Sequence, residues 1–139
     1  GQDLLRLAIR CHENLEKHSE LTSQIMEKFD NKIINLIKET YDFKPKDFAQ
    51  FANLIFESSL TGDSNARHIL NNQIPIIEKS IISAGFDKER PFCLLGGLGK
   101  FYKPLIKKEF SDTLVDPKGN AVEGAISIAL SRFKKDLKY

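Results

Sequence analysis

Two short strand-like runs near the end of this chain constrain its fold more than anything that precedes them. Phe92–Leu95 and Thr113–Val115 are brief apolar stretches bounded by turn residues, the pattern of strands buried on both faces. Two strands cannot form an independent parallel sheet with covered faces. Either a partner chain completes the sheet, a homodimer being one way, or the missing strands lie ahead of Gly1. The chain also opens on Gly1 and passes straight into a helical pattern at Asp3-Leu4-Leu5. The expectation is a piece cut from something longer, with a short tag remnant as the plain alternative.

The chain before these runs reads as helix. From Asp3 to His18 the apolar positions Leu4, Leu7, Ala8, Cys11 and Leu15 make a one-sided stripe. Ser19 caps a second helix carrying Leu21, Ile25, Met26 and Phe29, and Asp30 caps a third with Ile33, Ile34, Ile37 and Tyr41 inward. Pro45 suits the first position of a fourth helix, where its missing N–H costs little; Phe48, Phe51, Ala52, Ile55 and Phe56 follow, and Gly62 is a natural left-handed stop. Asp63 caps the longest helix, Ser64–Ala84, with Ala66, Ile69, Leu70, Ile74, Ile77, Ile81 and Ala84 inward, and Gly85 ends it. Pro75 lies inside it and is expected to kink it, at ~3 kcal/mol in a regular helix.

After Phe86–Arg90 comes the first strand, then the glycine turn Gly96-Gly97-Leu98-Gly99, a short helix over about Phe101–Phe110, and the second strand. Asp116-Pro117-Lys118-Gly119 is a turn, and Asn120 with Glu123 resembles a capping box. A last helix places Val122, Ala125, Ile126, Ala129, Leu130 and Phe133 on one face, and its basic end (Lys134, Lys135, Lys138) complements the helix dipole. The chain thus divides into a helical segment, 1–85, and a strand–helix–strand–helix segment, 86–139. It holds no internal repeat or low-complexity stretch.

Glycines directly after a buried strand let a backbone approach a ligand closely, and a helix opening there favours an anion. Gly96-Gly97-Leu98-Gly99-Lys100 is nevertheless no Walker loop, because Leu94 stands at its first glycine and Phe101 at its Ser/Thr. On local pattern a plain turn and a nucleotide site both fit. Lys100, Lys103 and Lys107 share one side of the short helix; a solvated face is the default, a phosphate contact by Lys100 the alternative. Phe48, Phe51 and Phe56 read as core, with a ligand-facing role as the alternative for Phe48 and Ala49 near the start of their helix. His12, His18 and His68 lack metal-ligand spacing, and adjacent Cys11 and His12 point apart on a helix. No carboxylate presents itself as a catalytic base; Asp116 is explained by its turn.

With 21 Lys plus Arg against 19 Asp plus Glu, the net charge of +2 argues for no nucleic acid partner. No run approaches the ~18 apolar residues of a membrane helix, and no secretory leader is visible. Cys11 and Cys93 are far apart within apolar patterns, which fits buried, reduced thiols and a cytoplasmic setting.

Four features in order resemble the C-terminal part of bacterial N-acetylglucosamine and glucosamine kinases, grouped with benzoyl-CoA reductase activator-type ATPases in the actin-like (ribonuclease H-like) superfamily. Gly1-Gln2-Asp3-Leu4-Leu5 is similar to the point where a glycine-rich segment enters the first helix. Phe48-Ala49-x-Phe51-Ala52, then Gly62-Asp63 and Ala66, resemble the paired helices. Leu94-Leu95-Gly96-Gly97 resembles the adenosine-binding Gly-Gly, and Leu114-Val115-x-Pro117-x-Gly119-Asn120-Ala121-x-x-Gly124-Ala125 the closing strand–turn–helix. The set spans nearly all 139 residues.

The resemblance implies an α/β fold class, here the C-terminal fragment of one nucleotide-binding domain, mostly helical with two parallel strands of an incomplete sheet. It implies phosphoryl transfer from ATP, with magnesium, to an amino-sugar hydroxyl. Gly96, Gly97 and Leu98 would lie against the adenosine and α-phosphate, Ala49 would face the adenine from the other side, and Gly124 would let the last helix pack closely. The phosphate hairpin, catalytic Asp and sugar-binding residues belong to segments ahead of Gly1, so the fragment alone is expected to be inactive and to hold no catalytic or metal-binding residue. Two other readings remain: an ATPase that activates a reductase or dehydratase, and a non-enzymatic helical interaction module.

Overall fold

Of the apolar stripe expected on the first helix, Leu4, Ala8 and Cys11 are buried and Leu7 is half-buried, but the helix stops six residues early and leaves Leu15 exposed. In the computed structural model, which describes the backbone of residues 1–136 and the side chains of residues 1–133, α1 spans Gln2–His12 with Leu4, Leu5, Ala8 and Cys11 inward. Asn14 ends it by taking a left-handed φ of 58°. The Asn14 N–H then bonds Cys11 O and the Leu15 N–H bonds Arg10 O, the paired closure of a Schellman stop. Gly62 and Gly85 close α4 and α5 with the same two bonds, as expected of glycine there.

α2 (Glu20–Glu27) starts after Ser19 as read. α3 (Ile33–Thr40) does not start at Asp30: Asp30 and Asn31 are both left-handed, and Lys32 is the N-cap. That turn rotates the helix so that Leu36 is buried, while Ile34, Ile37 and Tyr41, expected inward, are exposed. α4 (Pro45–Leu60) and α5 (Ser64–Ser83) follow. The core lies among α1, α2, α4 and α5, built from side chains such as Leu4, Ile25, Met26, Phe51, Phe56 and Ile69.

Asp63 fastens this core at one corner. Its Oδ1 accepts the N–H groups of Asn65 and Ala66 at 2.9 Å, capping α5, while Oδ2 accepts the Leu21 N–H of α2 at 2.9 Å. Asn65 adds Nδ2 bonds to Lys17 O at 2.9 Å and Thr22 Oγ1 at 3.3 Å. α5 continues through Pro75 without a break. Pro75 is exposed, as is Asn71, whose carbonyl loses its partner, so that group is left open to water.

Beyond Gly85 the two expected strands reduce to one isolated parallel bridge, Phe92 with Leu114, made by Phe92 N–H to Thr113 O (3.2 Å) and Val115 N–H to Phe92 O (2.9 Å). With no neighbouring strand among the described residues, nothing extends the ladder, and Cys93 and Leu95 are exposed rather than buried. The helix expected over Phe101–Phe110 is split by Pro104 into α6 (Gly99–Tyr102) and α7 (Lys108–Ser111). Phe101 stacks on Phe56 with centroids 4.8 Å apart, and Tyr102 meets Phe56 edge-on at 5.2 Å. Buried Glu78 of α5 holds the start of α7, accepting the Lys107 N–H at 2.8 Å and pairing with Lys107 Nζ at 3.0 Å.

α8 (Ala121–Asp136) opens with the expected box: Glu123 Oε2 accepts the Asn120 N–H at 2.8 Å, and Asn120 Oδ1 accepts those of Val122 and Glu123 at 3.0 Å. Every described side chain of α8 is exposed, its apolar face of Val122, Ile126, Leu130 and Phe133 included. Gly124 has no atom within 4 Å of a notional Cβ, so the close packing expected of it is absent among the described residues. The basic end at Lys134, Lys135 and Lys138 lies outside the residues whose side chains are described. No helix among the described residues is long and apolar enough to cross a membrane.

Candidate functional site

Two clefts meet at the turn after Leu95. The larger, about 530 Å³, lies between the start of α1, the first three turns of α4, the middle of α5, and Leu98 with Tyr102. Pro45 begins α4, and the Asp47 carboxylate accepts the Lys44 N–H at 2.8 Å, which fixes the entry of that wall. The opposite wall abuts it closely: a Cβ on Gly1 would fall on the Phe48 carbonyl oxygen. Ile69 and Leu70 form an apolar floor. Gln73 Nε2 donates to Asp3 Oδ2 at 2.7 Å, tying α5 to α1 at the edge. Burial pushes the Tyr102 phenol upward from its ordinary value.

The smaller cleft, about 290 Å³, is lined by Gly96, Gly97, Lys100, Lys103, Val115 and Asp116 among others. Lys103 Nζ lies 3.4 Å from Asp116 Oδ1, spanning its mouth. Lys100 Nζ lies 5.0 Å from the centroid of the Phe101 ring. The turn between the clefts is closed by Gly99 N–H to Gly96 O at 3.1 Å.

The three glycines of this turn differ in kind. Gly96 has a φ of 93°, which an L side chain adopts only with strain. Gly99 is buried, and a Cβ there would lie 2.6 Å from Leu94 O. Gly97 has neither constraint: its φ is not positive and no atom lies within 4 Å of a notional Cβ. Gly99→Ala is therefore expected to displace the Leu94–Gly96 backbone and cost about 2 kcal/mol, in the range of overpacked core sites. Urea unfolding of Gly99→Ala beside wild type measures it, and an unchanged midpoint would show that the turn yields freely.

Of the residues singled out from the sequence, Ala49 and Leu98 line the larger cleft, and Gly96 and Gly97 the smaller. Sequence reading missed Tyr102, the Asp3–Gln73 bond, the steric demand at Gly99 and the Lys103–Asp116 pair. Only Gly99 carried a signal, as a third glycine in the turn; the rest depend on contacts made in space. The helix start expected to attract an anion belongs to the four-residue α6, too short to sum a useful dipole. Cys11 is buried and Cys93 exposed, so the expectation of two buried thiols holds for one. Among the described residues, no three His, Cys, Asp or Glu side chains converge as metal ligands.

No protein-family model matches the chain. Over 129 residues, 93% of its length, it is 23% identical to a glucosamine kinase of Vibrio cholerae, of which it covers 44%. A crystal structure from Chromobacterium violaceum, provisionally assigned as an N-acetylglucosamine kinase, superposes with a TM-score of 0.79 at 23% identity. That match takes in 91% of this chain and 44% of the other. The chain has part of that protein's fold. It spans less than half the length of either relative, and its mostly helical build, with one isolated bridge among the described residues, corresponds to the part of that fold the match covers.

Proposed function

We propose that this chain is the adenosine-binding portion of an ATP-dependent amino-sugar kinase acting on N-acetylglucosamine or glucosamine. The observation that carries the reading is the larger cleft. Ala49 and Leu98 lie far apart in sequence, yet both line it, as two opposed contacts to an adenine require. A mostly apolar cavity of about 530 Å³ suits a purine and its ribose. The two kinases similar to the chain supply the substrate class.

When bound, ATP supplies the phosphoryl group that an amino-sugar hydroxyl accepts. The chain's part is to hold the base between Ala49 and Leu98, with Tyr102 and Gln73 near the edge as neutral donors. Magnesium would be held chiefly by the phosphates, and no metal ligand is assigned to this chain. The sugar contacts and the catalytic base are likewise assigned outside it. Grouping with benzoyl-CoA reductase activator-type ATPases is part of the same proposal.

Two experiments test the reading. The 139-residue chain alone is expected to show no phosphorylation of either sugar, whereas the parent protein phosphorylates at least one in an amino-sugar panel. A parent inactive on every amino sugar would sink the substrate assignment, and turnover by the isolated chain would sink the division of labour. Ala49→Phe in the parent is expected to weaken ATP binding at least tenfold by filling the cleft. Because Ala49 is exposed, unfolding free energy should stay within about 0.5 kcal/mol of wild type. Calorimetric titration beside urea unfolding separates the two effects.

A further inference from the structure

We infer that Glu78 is a positioning residue for the larger cleft, holding the Leu98–Tyr102 wall against α5 at the spacing a nucleoside needs. The inference rests on the nucleotide reading above and gives a role to a buried carboxylate that the reading leaves unused.

Among the described residues, Glu78 is the one charged side chain that is buried, at 5% exposed. Both of its oxygens go to a single residue. Oε1 accepts the Lys107 N–H at 2.8 Å, and Oε2 lies 3.0 Å from Lys107 Nζ. Taking a carboxylate out of water is costly, and an ion pair whose lysine is 67% exposed recovers little of that cost. As a stabilising device Glu78 is therefore poor. As a fixed point it is well made, because two bonds define both where Lys107 sits and how it is turned.

Lys107 is a short step from the cleft. Its neighbour Ile106 is buried, and the Ile106 N–H bonds Tyr102 O at 3.1 Å. Tyr102 lines the larger cleft, and its own N–H bonds the O of Leu98, the other residue of that wall, at 3.4 Å. The path begins on α5, whose Ile69, Leu70 and Gln73 also line the cleft. One helix thus carries both the floor and the peg that holds the wall. Among the described residues, no other hydrogen bond joins residues 96–112 to α1–α5. The other attachments there are apolar packing, such as Phe101 on Phe56, which is non-directional.

The test is calorimetric titration of the parent protein with adenosine and with ATP, using substitutions that separate length from charge. Glu78→Leu removes both acceptors and is expected to weaken adenosine and ATP by the same factor, about tenfold. Glu78→Asp keeps the charge but is too short to reach Lys107, and should weaken both about threefold. Glu78→Gln keeps the length and an acceptor for the Lys107 N–H, and should bind within about twofold of wild type. In a Tyr102→Ala background, Glu78→Leu should add less than about twofold, because the side chain it positions is gone. A fraction of unfolded protein lowers the number of sites titrated and leaves the dissociation constant of the rest unchanged, so lost folding reads differently from a misplaced wall. Glu78→Leu that binds adenosine as wild type does overturns the inference, and Glu78→Asp decides in its place should the leucine variant not fold. A loss confined to ATP, or Glu78→Gln as weak as Glu78→Asp, overturns it too. These outcomes leave the nucleotide reading intact, whereas an unaltered parent that binds neither adenosine nor ATP overturns both.

Discussion

In the parent protein, Gly97→Val lowers the affinity for ATP at least a hundredfold while leaving the fold as stable as before. The two halves of this expectation have separate causes. A Cβ at position 97 has no atom of the described residues within 4 Å and needs no left-handed backbone, so a valine is expected to be accommodated within about 0.5 kcal/mol. The same isopropyl group occupies the space from which a ligand reaches the turn between the two clefts. A hundredfold loss corresponds to about 2.7 kcal/mol, a reasonable effect for blocking a close backbone contact. Titration with ATP and a thermal melt on one preparation decide it. A folded variant that binds ATP normally would mean that no nucleotide approaches Gly97. Gly99→Ala, two residues on, inverts the pattern, because there the chain itself occupies the space.

The second large effect is on stability. Asp63→Ala is expected to cost about 2 kcal/mol, combining the loss of an N-cap with a charged hydrogen bond to a second helix. The carboxyl titrates below its ordinary 3.8. Burial alone would raise it. Hydrogen bonds from the backbone N–H groups of Leu21, Ala66 and Asn65 together outweigh that. A folded value below the unfolded one means that Asp63 stabilises the protein above pH 3.8 and that this contribution fades as pH falls through the folded value. The stability gap between wild type and Asp63→Asn should therefore be full at pH 7 and narrow on acidification below about 4. Urea unfolding across that range checks it, and a gap constant with pH would exclude the ionised carboxylate as the cause.

The sequence disclosed those elements whose signals are local. Gly62 and Gly85 stop their helices because a left-handed residue is cheapest as glycine, and Asp63 and Asn120 cap theirs through side chains one turn away. Asn14 does the work of a glycine, which apolar spacing does not register, so α1 ends before its stripe does. Pro104 divides a helix that apolar spacing alone would continue. The inward face of α3 was misread because two left-handed residues rotate its start. At the site, the glycine turn was legible as a place, and Ala49 and Leu98 as partners only through resemblance. That Gly97 is open while Gly99 is jammed against Leu94 depends on a fold-back no linear pattern records.

The lone bridge between Phe92 and Leu114 bears on how wide the smaller cleft stands. Phe92 is bound through both its N–H and its carbonyl, to Thr113 and Val115, and the bridge leads on one side to Gly96 and on the other to Asp116. One pair of hydrogen bonds thus serves as the clasp between the glycine wall and the acidic wall. A clasp of two backbone bonds opens at less cost than a ladder, so the cleft walls in this chain are joined less firmly than strands of a full sheet would be. Strands laid along the free edge at Cys93–Leu95 would remove that freedom, and the aperture would then be set by the sheet as a whole.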